Sequence, residues 1–296
     1  MALTRFRTGM LGMAILVVLS FACPRDVFAW TLSPDFASMK SGTQGCGLAG
    51  SGGSTIVAAS GSALSGLASS TSSNVCQMSV TGGSTAFGQW GGILTFPNKL
   101  SRGTEIWMRV RTYFPSGFNY NSTGEGGVLK FLRVKTESSA AVHEGYSNWL
   151  IMPEGSSPSY DWIMEGNSPQ NIYFGSTSDA VQRGVWETWE MYLKLDNVPM
   201  SQGGTARARL YKNGKLLKDI QDQETLMTAT SKATDFYLFT YWNGGAPKSQ
   251  SMFIDSMTVT TDTPSNRDAN NFPYLGMTKG TTTVIAPNPP TAVSVQ

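Results

Sequence analysis

The sequence predicts an all-β protein, an antiparallel two-sheet β-sandwich, and three observations carry the prediction. Segments alternating apolar and polar residues recur along the chain, Gly, Pro and Asn turns separate them, and the three-to-four-residue apolar repeat of a helix is missing.

The first 29 residues stand apart. Arg5 and Arg7 precede an apolar run from Met10 to Ala22 that is too short to span a bilayer comfortably, and Val27-Phe28-Ala29 offers the small-residue pattern of a cleavage site. This reads as a signal peptide cleaved after Ala29, with Trp30 as the mature N-terminus and a secreted or periplasmic protein without an integral membrane segment. Acylation at Cys23 is the minor alternative, because Ser20 and Phe21 replace the Leu and small residue that such a signal prefers. Cleavage removes Arg5, Arg7, Arg25 and Asp26, so 22 basic and 20 acidic residues become equal numbers. Bulk charge therefore gives no ground for a nucleic-acid partner or an anionic membrane surface, and affinity for a polyanion has to come from local placement. In an oxidising compartment Cys46 and Cys76, the pair that remains, are expected to form a disulfide; two free buried thiols are the alternative.

From Ser41 to Asn98 the chain has no Asp, Glu, Lys, Arg or His. Disorder usually accompanies charge, whereas here Ile56, Val57, Leu64, Leu67, Val75, Met78, Val80 and Phe87 recur between Gly/Ser turns, which predicts short strands. Asn74 to Val80 alternates as a half-buried strand. From Glu105 to Phe114, Ile106, Met108, Val110, Thr112 and Phe114 share one face; Glu105, Trp107, Arg109, Arg111 and Tyr113 share the other. Further strands are expected at Val128 to Lys135, Asn148 to Met152, Trp186 to Leu195, Ala206 to Tyr211, Asp235 to Trp242 and Ser251 to Thr260, with Asn213-Gly214 as a hairpin turn. Asp222 to Ser231 is the one segment with a plausible helical turn. Residues 30–276 read as a single sandwich domain and 277–296 as an extended or disordered tail.

Four segments resemble, in their order, the concanavalin A-like lectin/glucanase superfamily: Gly103-Thr104-Glu105-Ile106-Trp107-Met108-Arg109-Val110-Arg111, Trp186 to Tyr192, Ala208 to Lys215, and Met252-Phe253-Ile254-Asp255. Phe239-Thr240-Tyr241-Trp242-Asn243-Gly244-Gly245 is similar to the aromatic-Gly-Gly run of the alginate and glucuronan lyase jelly rolls. The resemblance implies a concave sheet that holds a sugar polymer. It also implies a structural Ca2+ near Asp255, where Ser256 replaces the second acid that the family often carries.

The outward faces of the expected strands offer candidates for an acidic polysaccharide, since aromatic faces stack on sugar rings and Arg or Lys pairs with uronates. Retaining hydrolysis needs two close carboxyl groups, and Glu187 and Glu190 are spaced for opposite faces of a strand, which disfavours a glycoside hydrolase. β-Elimination needs a cation for the uronate carboxylate and a proton-transfer group. Arg109, Arg111 and Lys130 are candidates for the first role and Tyr192 or Tyr237 for the second; Trp107, Glu190, Arg209, Tyr241 and Asn243 are candidates for binding. The sole histidine, His143, falls in an expected loop. A polysaccharide lyase is the leading reading; a non-catalytic carbohydrate-binding or adhesion module and a structural surface protein are the alternatives.

Overall fold

The computed structural model describes residues 29–50, 52–60, 67, 70, 72–85, 90–121, 129–137, 149–152, 160–164, 170–174 and 181–277, with backbone pairing alone for 149–174. The first 28 residues, the tail beyond 277 and His143 lie outside them. The strands are β1 Thr31–Leu32, β2 Ser54–Ala58, β3 Asn74–Val80, β4 Gly92–Leu100, β5 Glu105–Tyr113, β6 Leu129–Glu137, β7 Trp149–Met152, β8 Tyr160–Met164, β9 Gln170–Phe174, β10 Trp186–Lys194, β11 Arg207–Lys212, β12 Lys215–Ile220, β13 Lys232–Trp242 and β14 Gln250–Thr260. They form an eight-stranded sheet, β12-β11-β10-β5-β14-β3-β2 with β1 also on β14, and a six-stranded sheet, β4-β13-β6-β7-β8-β9. Every strand pairing is antiparallel.

Alternation builds the core between the sheets. β5 buries Ile106, Met108 and Val110, and β10 buries Trp189, Met191 and Leu193, against Leu129, Phe131, Leu132 and Val134 of β6 and Phe236, Leu238 and Phe239 of β13. Phe131 meets the edge of Trp189 across the gap at 5.6 Å and leans on Phe239 at 5.0 Å. Such aromatic pairs add about 0.5–1.5 kcal/mol beyond their burial. The Asn213-Gly214 turn joins β11 to β12 as expected, both residues having the positive φ (49° and 77°) of the tight hairpin turn. Cys46 and Cys76 form the expected disulfide, with Cα atoms 5.8 Å apart, fastening the segment before β2 to β3.

Two features depart from the sequence reading. The stretch from Asp222 to Ser231 has bends and turns and no helical turn. Its backbone is claimed by the end of β10: the Thr225 and Leu226 N–H groups donate to the Asp196 carbonyl and Thr225 Oγ1 donates to the Lys194 carbonyl, while Leu226 is buried. The second is a set of additional strands, β1, β4, β8 and β9; of these β4 lies at a sheet edge, where Pro97 is tolerated because no ladder partner needs its missing N–H.

Candidate functional site

The candidate residues divide between the two outer faces of the sandwich. Trp107, Arg109, Arg111, Glu190, Tyr192 and Arg209 belong to the eight-stranded sheet; Lys130, Tyr237 and Tyr241 belong to the six-stranded one. The structure does not bring the two sets into one cleft.

On the eight-stranded sheet the expected sugar platform is covered by the chain itself. Residues 266–277 lie across it, and Trp107, Glu190, Tyr192 and Arg209 are at most 2% exposed. Trp107 Nε1 donates to the Pro273 carbonyl at 3.0 Å, and Arg109 donates to the Gly276 carbonyl at 3.2 Å. Glu190 accepts the Leu275 and Gly276 N–H groups at 2.6 and 2.9 Å. Burial pushes the Glu190 carboxyl up to about 7 against those hydrogen bonds and the nearby Arg109. Tyr192 donates to Glu105 at 3.0 Å and has the edge of Phe272 against its ring. Burial first, and Glu105 second, raise its phenol above the ordinary range, and the ring lies closed beneath Phe272.

Arg111 is bound to Asp255, the residue at the bulge between Ile254 and Ser256 in β14. The Asp255 carboxylate also accepts from Ser70 and Ser256 hydroxyls at 3.0 and 3.1 Å. Calcium wants about six to eight oxygens and no competing cation, and the partners that Asp255 has among the described residues do not fit the ion. Among the described residues, no three His, Cys, Asp or Glu side chains gather as a metal site.

The six-stranded sheet carries a different arrangement. In β6 the register shifts between Lys130 and Leu132, and in β13 between Leu238 and Tyr241. Each extra residue resets the alternation. Phe131 and Leu132 both enter the core, as do Leu238 and Phe239, and Lys130, Arg133 and Lys135 are brought to one face with Asp235, Tyr237 and Tyr241. Three cross-strand rungs result. Lys130 Nζ lies 5.2 Å from the centre of the Tyr241 ring, the Arg133 guanidinium 5.0 Å from that of Tyr237, and Lys135 Nζ 4.0 Å from Asp235. The Arg133 and Lys135 rungs, two residues apart, are spaced by about 7 Å, whereas Lys130 stands three residues before Arg133 across the bulge. Thr234 Oγ1 also donates to Asp235 at 2.6 Å. Lys130, Lys135 and Tyr241 are half-buried; Arg133, Asp235 and Tyr237 are nearly closed.

The bulge has a specific support. Phe239 adopts φ 48°, uncommon for an aromatic residue, and Gly91 at φ 81° lies so close that an added Cβ would meet the Leu238 carbonyl oxygen at 2.2 Å. The rungs continue by backbone register into β7, where Trp149 pairs with Arg133 and Ile151 with Lys130. Asn243 occupies the turn that ends β13, two residues beyond Tyr241, where the Gly245 N–H donates to the Trp242 carbonyl. Arg133 and Lys135 escaped the sequence reading because strict alternation from Lys130 sends both to the opposite face; the unbroken run Leu129-Lys130-Phe131-Leu132-Arg133-Val134-Lys135, with two adjacent apolar residues between cations, is the signal of the bulge.

No protein-family model and no characterised protein matches the chain in sequence. Solved structures do match in fold. A variant of alginate lyase Aly36B in complex with alginate tetrasaccharide superposes with a TM-score of 0.51 at 13% identity, covering 77% of this chain and 96% of that one. The endo-β-1,4-glucuronan lyase of the fungus Trichoderma reesei gives a TM-score of 0.51 at 10% identity, over 78% of this chain and 95% of its own. At the level of fold, the chain is a two-sheet β-sandwich similar to the jelly rolls of these alginate and glucuronan lyases.

Proposed function

We propose that this is an exported polysaccharide lyase that cleaves an acidic polysaccharide on the outer face of its six-stranded sheet. The observation that carries the reading is the row of three rungs on β6 and β13, which aligns Lys130, Arg133 and Lys135 beside two phenols. A polyuronate presents a carboxylate on each sugar, and a row of cations suits such a polymer better than a neutral glycan. In the elimination, a base removes the C5 proton, the C4–O bond breaks, a C4=C5 double bond forms, and the departing oxygen takes up a proton. Lys130 and Arg133 supply the positive charge that stabilises the developing carbanion through its carboxylate. Tyr241, half-buried beside Lys130, exchanges the C5 proton; Tyr237, closed beneath Arg133, holds that guanidinium in place. The disulfide supports an extracellular or periplasmic setting.

The test is ultraviolet absorbance of the unsaturated product while the mature protein is incubated with alginate, glucuronan, pectate or glycosaminoglycans, with and without calcium. The reading expects a rise on one polymer that falls at least 100-fold in both Tyr241→Phe and Lys130→Ala. No rise on any polymer, with saturable binding to one, makes the protein a carbohydrate-binding module instead.

A further inference from the structure

The segment that covers the eight-stranded sheet is built like a bound ligand. It has internal order of its own. Asp268 accepts the Asn270 and Phe272 N–H groups at 2.9 Å each, the Asp268 N–H donates to the Phe272 carbonyl, the Tyr274 N–H donates to the Asn266 carbonyl, and the Asn266 amide returns to the Leu275 carbonyl at 2.8 Å. The turn is therefore closed before it meets the sheet. Residues 261–266 that lead to it from β14 are largely exposed.

The sheet receives this turn through two kinds of contact. Trp107, Arg109 and Glu190 bind main-chain atoms of 273–276, so these contacts read the backbone of the turn, which enters the left-handed region at Gly276 (φ 74°). Two aromatic knobs supply selectivity: Phe272 lies on the Arg209 and Arg207 guanidiniums at 4.1 and 4.8 Å with its ring against Tyr192, and Tyr274 stacks on Tyr211 at 5.3 Å. Asp268 completes the fit with Arg209 and the Tyr211 hydroxyl, both at 3.0 Å. Main-chain bonds combined with side-chain pockets are a recurring way in which peptides are recognised between chains.

We propose that the outer face of the eight-stranded sheet is a peptide-binding site whose ligand is the turn Asn266–Gly276, supplied here in cis and, when that copy is displaced, by the same segment of a second copy of this chain. The short tether presents the cis segment at an effective concentration of about 1 mM, so free peptide competes poorly with the intact chain. Loosening the cis copy is what opens the site. The inference is independent of the lyase reading, because it concerns the opposite sheet.

The experiment uses the full mature chain carrying Phe272→Ala and Tyr274→Ala together, titrated with a fluorescent synthetic peptide of residues 264–277 and read by anisotropy. Saturable binding at least tenfold tighter than to the unaltered chain is expected, weakened at least tenfold by Glu190→Gln in the same background. A folded double variant that binds no peptide overturns the proposal, and so does a variant that loses its cooperative unfolding, since the segment is then part of the core. Hydrogen exchange on the unaltered chain gives a second reading: the Leu275 and Gly276 amides are expected to exchange at least 100-fold faster than those of β5 and β10. Exchange as slow as in those strands overturns the proposal too.

Discussion

Glu190 shows what burial does to a single charge. Its two oxygens each accept a backbone N–H, yet desolvation prevails and its carboxyl titrates near 7 rather than at its ordinary value of 4.5. Because the folded protein then binds a proton that the unfolded chain has released between pH 4.5 and 7, stability from this group is full below 4.5 and is lost as pH rises towards 7. We expect Glu190→Gln to remove a decline of up to about 3 kcal/mol from the urea-unfolding free energy between pH 5 and 7.5; an unchanged slope would show that Glu190 is already charged when folded. Neighbouring positions show which part of a site sequence can reveal. The alternation of β5 correctly separates Ile106, Met108 and Val110 from Trp107, Arg109 and Arg111. What covers Trp107 and Arg109 is a segment 166 residues later, and no local pattern encodes that meeting.

Strands were legible where the period of two runs unbroken. β3 spans Asn74–Val80, the residues whose alternation marked it, and β5 begins at Glu105 as expected. They were illegible in detail where a bulge intervenes, and the six-stranded sheet shifts register near Phe131 of β6 and, in β13, both between Ala233 and Asp235 and between Leu238 and Tyr241. Strict counting through β6 splits Lys130 from Arg133, whereas the extra residue near Phe131 reunites them. Phe239 reaches its positive φ because Gly91 lets the β4 approach run against the Leu238 and Phe239 carbonyls. Gly91→Ala puts a Cβ into that contact at a φ that Ala avoids, so the bulge has to shift and carry Tyr237 and Tyr241 with it. The expected result is a loss of more than about 1 kcal/mol by chemical denaturation, together with weaker binding of the polyuronate. Normal stability with normal binding would show that the bulge tolerates displacement and does not set the rungs.

At the scale of the molecule, the Cys46–Cys76 bridge and the location of charge are the two properties that act across elements. The bridge closes a 30-residue loop in a stretch with no charged side chains, and chain-entropy reasoning gives it about 3–4 kcal/mol. Replacing both cysteines by Ser is expected to lower the unfolding free energy by that amount while leaving polymer specificity unchanged, because β2 and β3 lie in the eight-stranded sheet. Charge behaves differently. Residues 30–296 hold equal numbers of acidic and basic residues, so this part of the chain has no net charge to draw a polyanion and attraction has to be local. The eight-stranded face offers little, since Arg109 and Arg209 are buried under residues 266–277 and Arg111 is held by Asp255. The six-stranded face keeps Lys130 and Lys135 half open. Replacing both by Gln is therefore expected to weaken polyuronate binding at least tenfold at low salt, with a much smaller difference at high salt where screening already suppresses the attraction. Replacing the exposed Lys215 and the half-buried Lys218 of β12, at the far edge of the other sheet, is expected to change it by less than about twofold. Equal losses from the two pairs, measured by calorimetric titration, would mean that the polymer responds to overall charge and not to the β6 row.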